Sequence, residues 1–399
     1  MGSIISLGIG RFEIDWGKNA FFRNHSNLFL PGDIRPVPYY YADDCEETLP
    51  GFARQLSSVV RRLELLGFTL SACRKQFDEA RQYAPEGYLE PAISFDLFAR
   101  ALAKVDVDRV RLPDEPATYD LYEYVVQSIL NDPEFTQTAP ELESLTRDDG
   151  TFFNNLHPYV VLRLLAEAPL NLQKDVCWRY ADVVEGGWVQ QEDLYERLAD
   201  EDRYLIVTEG STDTAVLKKT LPLLEPDVAD FFYFVDMTKN YPFTGTGNVV
   251  NFCRGLSKIR IQNRVIVVLD NDSAGRVAFD NIRQLDLPPR MRVMTLPRLA
   301  RMQSCHTLGP SGESVEDVNG RAVSIECFLD LRFGPPGDPR VRWTRYDSKA
   351  DTYQGELVQK DKYVKASLDA IGRDRSYDLT KLAKLWSAIL DVCAADPEQ

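Results

Sequence analysis

The chain has 399 residues, 44% of them hydrophobic and 27% charged, which is enough apolar material for two or three globular domains and excludes a disordered chain. Its 61 acidic against 46 basic residues leave a formal net charge of −15, which argues against nucleic-acid binding through bulk charge alone. With no apolar run near the roughly 18 residues of a spanning helix, no signal-peptide pattern and seven scattered cysteines lacking a Cys-x-x-Cys pair, the composition excludes a membrane protein, a disulfide framework and a zinc module, and fits a reducing cytoplasm.

Residues 1–45 alternate apolar and polar positions about Gly10 and Gly17, predicting a small antiparallel hairpin element. Met1-Gly2-Ser3-Ile4-Ile5-Ser6 matches a myristoylation pattern, but no basic cluster accompanies it, and the segment reads as the start of a strand. From 46 to 202 the period turns helical. Segments 54–66, 95–105, 119–130 and 158–168 space apolar residues three and four apart, predicting a mostly helical domain. Between 203 and 333, strands 204–209, 231–237, 264–270 and 292–296 alternate with helices 213–221, 247–257 and 273–285. Such alternation predicts an α/β fold with a four-stranded parallel sheet flanked by helices. The last part, 334–399, opens on Gly334-Pro-Pro-Gly-Asp-Pro339 and reads as a hairpin (341–346 with 355–358) followed by a helical tail, 378–394.

Two of the parallel strands stop on carboxylates. The apolar run from Tyr204 ends on Glu209 and Gly210, and the run from Arg264 ends on Asp270 and Asp272. Parallel strands present their carboxyl ends to the ligand crevice, so acids at two such ends can converge on one ion. Glu209-Gly-Ser-Thr-Asp213 adds an acid near the start of the next helix, where Asp213 can act as an N-cap, a metal ligand or both. Gly275 opens the helix after Asp272 and allows close backbone approach. Clustered carboxylates repel one another unless a cation offsets them, and oxygen-only ligation selects Mg²⁺ or Mn²⁺ over zinc. With two ions, such a pocket could activate water and stabilise the leaving oxygen of a phosphodiester. Local charge favours a polyanion there: from Arg254 to Arg301 ten basic residues face four acidic ones, two of them in the proposed site. Arg254, Lys258, Arg276 and Arg298 are the candidate nucleic-acid contacts.

Glu-Gly-x-x-Asp after one strand and Asp-x-Asp-x-x-Gly after another, within a four-strand alternation, resemble a Toprim domain, the metal-binding module of topoisomerases, bacterial primases and OLD-type nucleases. The resemblance covers roughly residues 203–331. It implies metal ligation by Asp270 and Asp272, with Glu209 as ligand or general acid/base. OLD-type nucleases are similar in two further ways: an acid at the position matching Asp213, and a later Ile-Glu before aromatic and apolar residues, matched by Ser324-Ile-Glu-Cys-Phe-Leu329. That implies Glu326 as a second-metal ligand, the alternative being an exposed acid on an amphipathic helix. These enzymes also use a lysine C-terminal to the sheet, a role open to Lys360 or Lys362.

In the N-terminal half, Lys18-Asn19, Asn24-His-Ser-Asn-Leu-Phe29 and Arg62-Leu-Glu-Leu-Leu-Gly67 resemble the HEPN/Toprim-associated N-terminal domain, which precedes a HEPN ribonuclease or a Toprim nuclease in bacterial conflict systems. The resulting expectation is a Mg²⁺- or Mn²⁺-dependent nuclease acting on DNA or RNA in anti-phage defence. A partner protein of the defence system and homo-oligomer formation are further expectations; a membrane is not. The alternative is a non-catalytic Toprim-scaffold sensor or partner-binding subunit. A topoisomerase would need a catalytic tyrosine domain and strand gate, and a primase a zinc-binding module, for which this chain leaves little room or material.

Three other signals read as incidental. Arg301 and His306 have the Arg-x4-His spacing of HEPN ribonucleases but follow the fourth strand rather than lying inside a long helix. His157, before Pro158 at a helix start, reads as a capping or packing residue. Gly245-Thr-Gly-Asn248 lacks a Walker ending and reads as a turn and helix N-terminus beside the site.

Overall fold

The computed structural model of the chain describes residues 2–10, 12–40, 46–82, 94–108, 156–235, 245–310 and 312–395. They belong to two compact units, 1–197 and 198–399. Helix 119–130 of the sequence reading lies outside the described residues. Among the described residues no helix is long and apolar enough to cross a membrane.

The first unit is built on a five-stranded antiparallel sheet, ordered β2-β1-β5-β4-β3, of strands β1 (Ile4–Ile9), β2 (Phe12–Lys18), β3 (Ile34–Tyr40), β4 (Glu46–Gln55) and β5 (Asp175–Arg179). This corrects the expected division into a hairpin element, 1–45, and a mostly helical domain, 46–202. The hairpin β1–β2 forms, but β5 pairs with it on one side, Leu7 opposite Trp178, and with β4 on the other, Phe52 opposite Trp178. Burial of the stacked Phe52 and Trp178 rings, 5.7 Å apart, fixes that centre. Pro36 and Pro38 are tolerated in β3 because it is an edge strand. The helices Leu56–Leu66 and Pro158–Leu165 share the core through Val59, Leu63, Val160 and Leu164. Helix Leu56–Leu66 ends where Gly67 takes a left-handed φ of 99°, letting Phe68 N–H reach back to Leu63 O at 2.8 Å.

The second unit holds the parallel sheet, ordered β10-β8-β6-β7, of strands β6 (Tyr204–Thr208), β7 (Phe232–Phe234), β8 (Arg264–Leu269) and β10 (Met291–Thr295). Helices Ser211–Leu224, Thr246–Lys258 and Ser273–Arg283 connect them in turn. From Val265 to Leu269 every residue of β8 is buried, as a strand covered on both faces must be. The chain passes from β6 to β7 on one side and from β8 to β10 on the other, so strand order reverses between the adjacent β6 and β8. A ligand crevice opens at such a reversal, beyond the carboxyl ends of the strands.

The expected C-terminal hairpin is present as β14 (Arg340–Asp347) and β15 (Thr352–Leu357), but it is not a separate element beginning at 334. Strand β11 (Cys305–Gly309) pairs in parallel with β14, and with β12 (Gly312–Glu316) they form the four-stranded sheet β12-β11-β14-β15. A two-residue strand β9 (Asn271–Asp272) pairs with β13 (Ala322–Val323). The tail helix Thr380–Ala394 belongs to the same core: buried Trp386 donates from Nε1 to Thr220 Oγ1 at 3.0 Å, and Tyr204 Oη donates to Cys393 O at 2.9 Å. Helix Lys360–Ala370 is an addition that the sequence reading did not contain.

Candidate metal centre

Glu209 follows β6 and Asp270 follows β8, so the two carboxylates meet across the reversal point. Asp270 N–H donates to Glu209 Oε1 at 2.9 Å, tying the two strand ends together. Gly275 permits this approach: a Cβ there would stand 2.1 Å from Asp270 O and 3.1 Å from Glu209 Oε1. Asp213 is the third residue of helix Ser211–Leu224, and its Oδ2 accepts from Gly210 N–H at 2.9 Å. Gly210, rather than Asp213, is therefore the N-cap, and Asp213 closes the first turn from inside.

Asp272 is the N-cap of helix Ser273–Arg283, its Oδ1 accepting from Gly275 N–H at 2.7 Å. Its Oδ2 accepts from the side-chain amide of Gln354 on β15. A carboxylate only accepts, so Gln354 turns its NH₂ toward Asp272 and its carbonyl toward the Ser273 hydroxyl and Ala274 N–H, the latter at 3.1 Å. Arg345, opposite Gln354 on β14, supplies positive charge to Asp272.

Glu326 is the surprise in chain order. The β9–β13 pair brings residue 322 opposite Asp272, and the chain then turns into the 3₁₀ helix Ile325–Phe328 with Glu326 buried. It is not the exposed acid of an amphipathic helix; its charge acts on both Asp213 and Asp270. Half-buried Lys381 fastens this segment by donating to Cys327 O at 2.7 Å and to Leu329 O.

The five acids named in the sequence thus form one electrostatic group. Asp272 and Glu326 are buried, while Glu209, Asp213 and Asp270 keep part of their surface open. Burial, then the charge of Asp272, pushes Glu209 up to about 8. Burial, then Glu326, pushes Asp213 up to about 7, with Lys360 opposing the rise. Asp270 is raised well above the ordinary carboxylate range by burial and by all four neighbours, Asp213, Glu209, Asp272 and Glu326. Such a group holds protons or a cation at neutral pH, because full ionisation without either is costly.

The donors fit a hard cation in type: Asp270 and Glu326 accept no hydrogen bond from described side chains or backbone, and Glu209 Oε2 and Asp213 Oδ1 are likewise unengaged. The fit is one of charge and donor type rather than closed geometry. No three of the described His, Cys, Asp and Glu side chains are grouped so as to hold an ion as they stand.

Of the two candidate lysines, Lys360 acts on Asp213, whereas Lys362 lines a separate cavity of about 530 Å³ with Phe333 and Pro335. Of the candidate phosphate contacts, Arg276 and Arg298 lie at the carboxyl ends of the strands, lining a cavity with Asn271 and Thr295. Arg254 and Lys258 do not share that end. Helix Thr246–Lys258 starts at Gly245, whose N–H reaches Glu209 O at 3.3 Å, so Lys258 stands roughly 18 Å along the axis at the far end. His306 lies exposed on β11, and Arg301 in a 3₁₀ turn, so the HEPN-like spacing has no helix behind it.

Comparison with known proteins decides the first half. The family model HEPN/Toprim N-terminal domain 1 matches residues 1–202, just over half of the chain. The chain belongs to the HEPN/Toprim N-terminal domain family. No curated protein and no solved structure matches it. Within the HEPN/Toprim N-terminal domain, the Asn24-His-Ser-Asn segment is a structural clamp. Asn24 Nδ2 donates to Leu194 O at 3.0 Å, and Ser26 Oγ to Glu196 O at 3.2 Å, fixing the end of the unit to its beginning. Buried His25 bridges Asp15 Oδ2 at 2.9 Å and Tyr159 Oη at 3.1 Å. His157 caps helix Pro158–Leu165, its Nδ1 accepting from Tyr159 N–H at 3.2 Å.

Proposed function

We propose that the chain is a Mg²⁺- or Mn²⁺-dependent nuclease that hydrolyses phosphodiester bonds of DNA or RNA at a Toprim-type carboxylate centre, in the OLD-like manner, as an effector of bacterial anti-phage defence. The observation that carries this reading is the convergence of five carboxylates from three chain segments at the reversal point of a parallel sheet. The family match supports a nuclease-related or defence-associated setting.

Glu209, Asp213, Asp270 and Glu326 would hold the metal through their unengaged oxygens, with Asp272 held in place by Gly275 and Gln354. When bound, Mg²⁺ or Mn²⁺ supplies Lewis acidity toward phosphate oxygens and makes an attacking water more acidic. Glu209, with Oε1 bonded to Asp270 N–H, is free to carry or accept a proton on Oε2 near neutral pH, which suits general acid/base work. Lys360 offsets negative charge on the Asp213 side of the pocket.

Purified chain incubated with plasmid, single-stranded DNA and RNA in Mn²⁺ tests this reading. Cleavage by the wild type that disappears in Asp270→Asn supports it; cleavage that survives the substitution rejects the site. The alternative, a non-catalytic scaffold or sensor, is favoured by one observation: both oxygens of Asp272 are already bonded within the chain. It predicts that neither wild type nor variant cuts under any metal.

A further inference from the structure

Beside the carboxylates, between the ends of β8 and β10, lies a cavity of about 400 Å³ bordered by Asn271, Arg276, Thr295, Arg298 and Gly320. Its position is set by backbone pairing. Thr295 stands opposite Leu269 in the sheet, Leu296 N–H donates to Leu269 O at 2.8 Å, and Asn271 directly follows Asp270. The cavity therefore adjoins the Asp270 side of the crevice, away from β6 and Glu209.

Its chemistry is opposite to that of the carboxylate group. Arg276 makes no hydrogen bond or ion pair among the described residues, and its guanidinium lies against Gly320, where a Cβ would come within 3.1 Å of Nη1. Arg298 stands on the other border, held by Asp317 Oδ2 at 2.7 Å. In a chain carrying a net charge of −15, an unpartnered guanidinium at the rim of a cavity next to an acidic centre is a specific placement rather than diffuse basicity.

We propose that this cavity is a phosphate subsite, which receives the phosphodiester adjacent to the one presented to the carboxylates, with Arg276 as its principal contact. The inference rests on the nuclease reading for what reaches the neighbouring centre, but not for the binding itself. Holding one backbone phosphate beside the pocket fixes the register of a strand without reading its bases.

Equilibrium binding of a fluorescent 12-nucleotide single strand in EDTA tests it, with a duplex of the same sequence and inorganic phosphate as competitors to separate strand, duplex and free-anion sources. Arg276→Gln is expected to weaken binding about tenfold and to reduce the slope of log affinity against log salt by about one. Arg276→Lys should recover part of the affinity. Equal affinity of Arg276→Gln and wild type overturns the subsite, as does a wild type that binds none of the probes. Arg276-dependent binding without Mn²⁺-dependent cleavage would leave the subsite standing while removing the nuclease reading.

Discussion

Replacing Glu209 with Gln removes one charge from the acidic group while keeping an oxygen to accept the Asp270 N–H. The structure fixes the sign of the effect. In the metal-free protein Glu209 is raised from 4.5 to about 8, so the folded state holds a proton that the unfolded chain releases at lower pH. Its contribution to stability is fully present below pH 4.5 and is lost as pH rises through 8. A shift of that size corresponds to a ceiling of about 5 kcal/mol at 1.36 kcal/mol per unit, and partial exposure to the crevice reduces it to roughly 2 kcal/mol.

Glu209→Gln escapes this loss. For a unit of this size the metal-free variant should melt about 4–8 °C above wild type at pH 9, and by about a third of that difference at pH 5.5. Mg²⁺ or Mn²⁺ should reverse the order: at a hundredfold excess over Kd, it stabilises wild type by about 2.7 kcal/mol, and the variant by much less. Thermal unfolding at both pH values with and without metal is the assay. An unchanged difference between pH 5.5 and 9, or equal metal responses, would refute the reasoning.

Gly275→Ala, which places a methyl 2.1 Å from Asp270 O, should cost about 1–3 kcal/mol in denaturant unfolding and displace the Asp270–Glu209 contact; a variant with wild-type stability would show that the approach is not tight. Gln354→Ala should leave Asp272 unsteadied and weaken metal binding about 10–100-fold in a Mn²⁺ titration, with little change in thermal stability without metal. In the first unit, burial lowers His25 despite Asp15, and lowers His157 to about 4. The unfolded chain then takes up these protons first, so the unit should lose stability as pH falls from 6.5 toward 4. His157→Asn keeps a capping oxygen and should flatten that dependence; a wild type equally stable at pH 7 and 4.5 would contradict the assignment.

The parallel sheet was legible because β6 and β8 are apolar runs that stop on acids. Strands β3 and β4 were not, because Pro36, Pro38 and Pro50 interrupt the alternation that marks a strand. Strand β5 has five residues, and its partners lie more than a hundred positions earlier, so no local signal announces it. Glu326 reaches the centre through two strands of two residues each, below the length at which periodicity operates; only the family resemblance pointed to it. Gln354 carried no signal at all, being one polar residue in an ordinary hairpin. Lys360 and Lys362 were indistinguishable because residues two apart on a helix face different directions, and only the packing of helix Lys360–Ala370 selects one.

The central claim is that the acids at the ends of β6 and β8 form a divalent-metal centre. Anomalous scattering from crystals soaked in Mn²⁺ tests it most directly. The account predicts a peak bounded by Glu209, Asp213, Asp270 and Glu326 that is lost in Asp270→Asn. Crystals that take up Mn²⁺ elsewhere, with no peak among these four carboxylates, would contradict it.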